Sequence, residues 1–100
     1  MTVDTMTPSA ASLVLAKRLD LTEVTALRQF LLDRLDQAIT LDASGVVQLG
    51  GLCLQVLLSA AQDQRAARRP LRISPRSAAF DSALASFAVS LGSIQSEITQ

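Results

Sequence analysis

Histidine is absent from the 100-residue chain, and cysteine occurs once. That composition excludes a histidine-based catalytic triad. It also excludes an intrachain disulfide and leaves a zinc site of the Cys/His type without a ligand set. Net charge is missing too, since nine Lys and Arg balance nine Asp and Glu. Nothing global points to nucleic acid or to an anionic membrane, and neither partner is expected. The one basic cluster, Arg65, Arg68 and Arg69, is balanced elsewhere by Glu23, Asp33, Asp36 and Asp63. It reads as a solvated helix end, where cations suit the helix dipole. No apolar run is long enough to span a bilayer. The first dozen residues are mostly polar, without the basic start and apolar run of a signal peptide. A cytoplasmic protein without membrane insertion is expected. Internal repeats and low-complexity segments are also lacking.

What is present is apolar content. At 49% hydrophobic, the chain is expected to fold as one domain over residues 1–100, with little core to spare at this length. The chain is organised around Leu41–Leu58, L-D-A-S-G-V-V-Q-L-G-G-L-C-L-Q-V-L-L. A strand over Ala38–Ala43 alternates Ile39 and Leu41 with Thr40 and Asp42. A loop takes Ser44–Gly51, where Gly50-Gly51 permits backbone angles that other residues resist. From Leu52 the apolar residues Leu52, Cys53, Leu54, Val56, Leu57, Leu58, Ala60 and Ala61 are too dense for one face and indicate a mostly buried helix. Gln55, Ser59, Gln62 and Asp63 recur at the spacing of a polar stripe.

This stretch resembles the STAS domain, the family of bacterial anti-sigma factor antagonists, whose segment commonly reads L-D-L-S-G-V-T-F-M-D-S-S-G-L. Without a gap, Leu41, Asp42, Ser44, Gly45, Val46 and Leu54 match, and Leu49 stands where the family has Met. The family's Asp-Ser pair, whose Ser accepts phosphate, falls on Gly50-Gly51, and the Ser and Gly that follow fall on Leu52 and Cys53. A shift of two residues would instead align Gly51-Leu52 with the family's Gly-Leu. The gap-free register is preferred because it keeps Leu41-Asp42-x-Ser-Gly-Val. The resemblance thus implies a retained frame, no phosphorylation at the family position (Gly51), and a bacterial source.

In chain order, residues 1–11 hold at most an edge strand at Val3 and Met6, interrupted by Pro8. Ser12–Leu19 reads as a strand covered on both sides, Leu13 and Leu15 on one face, Val14 and Ala16 on the other. Asp20 and Glu23 form a capping box for a helix from Leu21 to about Gln37. Val24, Leu27, Leu31 and Leu35 are its apolar stripe with Phe30 beside them, and Arg28, Asp33, Arg34 and Asp36 take the other side. Arg18-Leu19-Asp20 resembles the Glu-Leu-Asp that opens this helix in STAS domains. The helix after Gly51 frays over Arg65–Arg69 and stops at Pro70. Leu71-Arg72-Ile73 is a short strand. Ser74 caps and Pro75 opens the last helix, striped by Phe80, Leu84, Phe87 and Leu91 and ended near Gly92. Residues 93–100 form a weak tail. The expected fold is α/β: about four mostly parallel strands, with helices mainly on one face.

No residue carries a catalytic signal. Cys53, near the start of an apolar helix with no histidine to activate it, reads as a buried small residue. Gly50-Gly51 could offer N–H groups to an anion, but lacks the Lys and Ser/Thr of a nucleotide loop. Asp42 is expected to accept loop N–H groups, and Ser44 to be an ordinary loop residue. Neither Ser44 nor Ser59 is expected to replace the acceptor. What remains is a surface at the carboxyl end of the strands, formed by Asp20, Gly50, Gly51, Leu52, Gln55, Ser59 and Gln62. Leu52 is either core or an exposed anchor on that surface. The resemblance implies protein recognition without chemistry, metal or cofactor. The partner would be an ATPase-fold anti-sigma or sensory kinase in signalling, including chemotaxis-type systems. The alternative is the ATPase of a lipid-transport ABC transporter that carries a small STAS subunit. A homodimer is compatible with either.

Overall fold

The structure, a computed structural model, describes residues 10–97. Strand β1 (Ala10–Val14) leads to a two-residue strand β2 (Arg18–Leu19) and a 3-10 turn at Leu21–Glu23, then helix α1 (Val24–Leu32). Strand β3 (Ala38–Ala43), the short β4 (Gln48–Leu49) and helix α2 (Gly51–Ala66) follow. Strand β5 (Leu71–Arg76), helix α3 (Ala78–Ser86) and a 3-10 turn at Leu91–Ile94 come last among the described residues. The fold is α/β with parallel pairing throughout its named strands. Among the described residues five strands replace the expected four or so: β1-β3-β5 form one sheet and β2-β4 a separate ribbon.

Register explains which face is covered. Leu13 pairs with Leu41 and Leu41 with Ile73, while Ile39 pairs with Leu71. Ile39, Leu41, Leu71 and Ile73 are buried on that face. Ser12, Thr40 and Arg72, aligned on the other, are exposed. The helices therefore cover mainly one face, and side-chain alternation along each strand enforces it.

Several expectations are corrected. The edge strand around Val3 and Met6 lies outside the described residues. The strand expected over Ser12–Leu19 is split: β1 ends at Val14, which is 71% exposed, so the strand is not covered on both sides. Leu15 still bonds to Asp42 O at 2.9 Å, and the chain then leaves β3 to pair Arg18 and Leu19 with Gln48 and Leu49. The loop Ser44–Gly51 thus contains β4, which two residues of pairing make too short to show as periodicity.

The helix expected over Leu21–Gln37 is a 3-10 turn and then only α1, giving way at Asp33 to turns. Asp20 caps it, but its carboxylate accepts the Thr22 N–H, while Glu23 N–H bonds to Asp20 O, so no reciprocal box forms. Ser74 and Pro75 do not open a helix. They lie inside β5, joined by a cis peptide bond, because pairing with β3 continues past a register shift to Ala43–Arg76. The cap of α3 is Ser77, whose Oγ accepts Phe80 N–H at 3.0 Å and donates to Val46 O at 2.6 Å.

Helix α3 stops at Ser86, well before Gly92. Ala88 takes the left-handed conformation (φ 57°), and Val89 N–H reaches back to Leu84 O. Helix α2 ends likewise rather than fraying to Arg69: Arg68 has φ 58° and Arg69 N–H bonds to Gln64 O. The supposed weak tail is partly built into the core. Ile94, Gln95 and Ser96 are buried, Ser96 bridges antiparallel to Leu71, and Gln95 Oε1 accepts Ile73 N–H at 2.7 Å. A free β5 edge supplied the partners that the tail's composition did not reveal. Residues 98–100 lie outside the description.

Candidate functional site

The β2-β4 ribbon positions the site. Pairing of Leu19 with Leu49 carries both chains past the end of the main sheet, and Gly50 N–H bonds to Leu19 O at 2.8 Å. A Cβ on Gly50 would lie 3.1 Å from Leu19 O, so glycine is used here for close approach. Neither Gly50 nor Gly51 has a positive φ, which corrects the expectation of unusual backbone angles. Gly50 is the N-cap of α2 and offers no side-chain bond to the first turn. A Cβ on Gly51 would meet the Phe87 ring at 3.7 Å, an ordinary contact.

Helix α2 buries one side and opens the other. Cys53, Leu54, Leu57, Ala60 and Ala61 are buried, while Leu52 is 54% exposed. Leu52 is therefore on the surface rather than in the core. It stands between two grooves. One, of about 510 Å3, runs between α1 and α2 and is lined by Leu52, Gln55 and Ser59 together with Arg28 and Asp63. The other, of about 630 Å3, lies over the first turn of α2 and is lined by Asp20, Gly50, Gly51, Leu52 and Gln55 with Leu21 and Phe87. Six of the seven residues expected at the surface thus meet at these grooves. Gln62 is exposed on α2 but lines neither.

Leu21 and Phe87 were missed by sequence reasoning. Leu21 is 72% exposed and Phe87 43%. Leu21 stands three residues before Val24 and so extends the stripe by spacing; only the 3-10 turn at Leu21–Glu23, which precedes α1, leaves it exposed. Phe87 fits the α3 stripe by spacing, and only the early end of that helix brings it out over Gly51.

Electrostatics around the site are mild. The Thr22 hydroxyl and then its N–H hold the Asp20 carboxyl below its ordinary value. The Ser44 hydroxyl and N–H do the same for Asp42, at 2.7 and 2.9 Å, the loop bonds expected of that carboxylate. Burial, then the charges of Asp20 and Glu23, push the Cys53 thiol up, away from a reactive thiolate. Cys53 Sγ donates to Asp20 O at 3.4 Å, which ties α2 to the end of β2. Among the described residues no three His, Cys, Asp or Glu are grouped so as to hold a metal ion, and no helix is long and apolar enough to cross a membrane.

The domain is thus a parallel α/β fold with an apolar, partly open surface at one end of its sheet, the end where such folds commonly place binding sites. The family model described as "Mlab, STAS domain" matches residues 2–91, so the chain belongs to the STAS domain family. STAS domains are generally regulatory or partner-binding domains, and membership implies that general role here. No curated protein and no solved structure matches the chain.

Proposed function

We propose that the chain docks on an ATP-binding partner protein through the first turn of α2, and does so without being switched by its own phosphorylation. The observation that carries this reading is Leu52, a large apolar side chain 54% exposed on that turn. Leu52 shares its groove with exposed Leu21 and Phe87, and contiguous apolar patches rimmed by polar residues mark contact surfaces in which large side chains act as anchors. Beside it, Gly51 occupies the position that the STAS resemblance assigns to the acceptor serine, and glycine has no hydroxyl. A phosphate at a helix start would add charge where docking occurs. Without it, docking follows partner abundance or the partner's own state.

The partner is an ATPase-fold anti-sigma or sensory kinase in the cytoplasm. The missing hydroxyl also favours a second reading, a permanent subunit on the ATPase of a lipid-transport ABC transporter, since a permanent subunit needs no release switch. Capture with the tagged chain, read by mass spectrometry, separates the two by the kind of ATPase recovered. Leu52→Asp is expected to weaken capture by roughly thirtyfold or more, the loss of an anchor worth ~2 kcal/mol. Gln55→Arg weakens it as well. Asp20→Asn weakens it less, since Asn still caps the turn. Arg72→Glu, exposed on β5 and outside both grooves, captures normally. A Leu52→Asp variant that melts and captures like the parent chain overturns the reading. A stoichiometric phosphate on Ser44 or Ser59, seen by intact mass of protein from its native host, would overturn the unswitched part alone.

A further inference from the structure

We propose that the groove between α1 and α2 is the contact face of a symmetric homodimer, and that this dimer covers Leu52 and withholds the docking face. The masking rests on the docking reading; the dimer does not. On α2 the groove follows Leu52, Val56 and Ala60, with Asp63 beyond, a stripe about 16 Å long at the rise of an α-helix. Leu32 on α1 is 42% exposed beside it. Its charged members are Arg28 on one helix and Asp63 on the other. Neither has an ion-pair partner among the described residues, where Arg76–Asp81 is the one salt bridge.

Both are exposed, and the occupant complementary to this face offers an apolar strip, a carboxylate for Arg28 and a cation for Asp63. A second copy of this face offers all three. A two-fold axis in the contact plane, bisecting the line from Arg28 to Asp63, sets each Arg28 against the other copy's Asp63, so the pair forms twice. The formal net charge of zero removes long-range repulsion between copies. A polyanion or an anionic lipid surface would satisfy Arg28 and oppose Asp63. Leu52 and Gln55 line both grooves, so a copy seated in one obstructs a partner in the other. Self-association then supplies a concentration-dependent gate on docking.

Sedimentation velocity of the full chain tests this with the chain as its own probe. The mass is expected to rise from 10.6 kDa toward twice that value with concentration. Arg28→Asp and Asp63→Arg each create like-charge pairs and should weaken the dimer about tenfold or more while remaining folded. Mixed in equal amounts, these two variants present opposite charges at both contacts and should associate again. A parent chain that stays at 10.6 kDa up to about 1 mM overturns the dimer. So does a mixture that fails to recover. The masking is read separately. Arg28→Asp, which lies outside the second groove, should capture the ATPase better than the parent chain at concentrations where the latter is dimeric. Equal or poorer capture overturns the masking, whereas a dimer that forms while no variant captures an ATPase condemns only the docking reading.

Discussion

The first and last turns of α2 belong to one helix but meet different surroundings. At the start, Gly50 gives no side-chain cap, Gly51 no side chain, and Leu52 faces solvent. At the far end, Gln64 is fully buried, and its Nε2 donates to Gln37 O at 2.7 Å and to Pro70 O at 3.4 Å. Arg65 Nη2 donates to the carbonyls of Gly92, Ser93 and Gln95. Two side chains thus tie together the turn before β3, the turn before β5 and the C-terminal segment. Gln64 Oε1 has no partner among the described residues, a cost tolerated for the bonds made by the same amide. The far end is fixed by side-chain hydrogen bonds to three segments, whereas the near end is held from beneath, by burial of Cys53, Leu54 and Leu57 and by the bonds of Gly50 and Cys53 to the end of β2, which leaves its upper face open for contact.

The comparison can be broken at the core that both ends share. Leu57 is fully buried, so Leu57→Ala should destabilise by ~2–5 kcal/mol in urea unfolding. No loss would mean the wrong side of α2 has been placed inward. Next is the far end, where Gln64→Leu leaves Gln37 O without its donor, Pro70 O keeping the Ile39 N–H, and should cost about 1–3 kcal/mol. Ser59→Ala, exposed on the same helix, should stay within about 0.5 kcal/mol. Equal effects would erase the distinction between the tied and the open side.

The two glycines sharpen the near end. Gly50→Ala forces its methyl toward the Leu19 carbonyl and should cost about 1 kcal/mol, whereas Gly51→Ala should be neutral or stabilising by about 0.5 kcal/mol. Thermal melts of both variants check the order. At the far end, Arg68→Gly relieves a left-handed residue and should add about 0.5–1 kcal/mol, read by the same melts.

The smallest effect concerns pH. Both Asp20 and Asp42 titrate below the ordinary 3.8 in the folded chain, held by Thr22 and Ser44 respectively. A depressed folded value means that the unfolded chain binds more protons as pH falls. The stabilisation is therefore present above 3.8 and is lost as pH drops through the folded values. Melting temperature should hold from neutrality to about pH 5 and then fall. Asp42→Asn should fall less steeply, and an identical acid limb in that variant would remove Asp42 from the explanation.

Local pattern made much of this legible. Alternation in Ala38–Ala43 gave β3 and its buried face, and the Asp42–Ser44 turn followed from a carboxylate two residues before a loop N–H. Leu27, Leu57 and Leu84 are core as their spacing required. The surface at Asp20, Gly50–Leu52 and Gln55 was legible because strand-end loops gather at one edge of a parallel sheet. Phe87 was not, because helix spacing cannot say that α3 ends at Ser86.

What the sequence determined by itself was therefore periodic or compositional: the α/β order, the parallel sense, the inward residues and the lack of a hydroxyl at position 51. Tertiary structure alone decided features that depend on a distant partner. The β2-β4 ribbon joins residues 30 apart, Ser74-Pro75 is drawn into β5 by β3, and Ser96 is held by Leu71. The state of Leu52 belongs with these. Its apolarity favours burial, but the neighbouring Cys53 and Leu54 already occupy the inward side of the turn, and a helix turning about 100° per residue leaves Leu52 to point out.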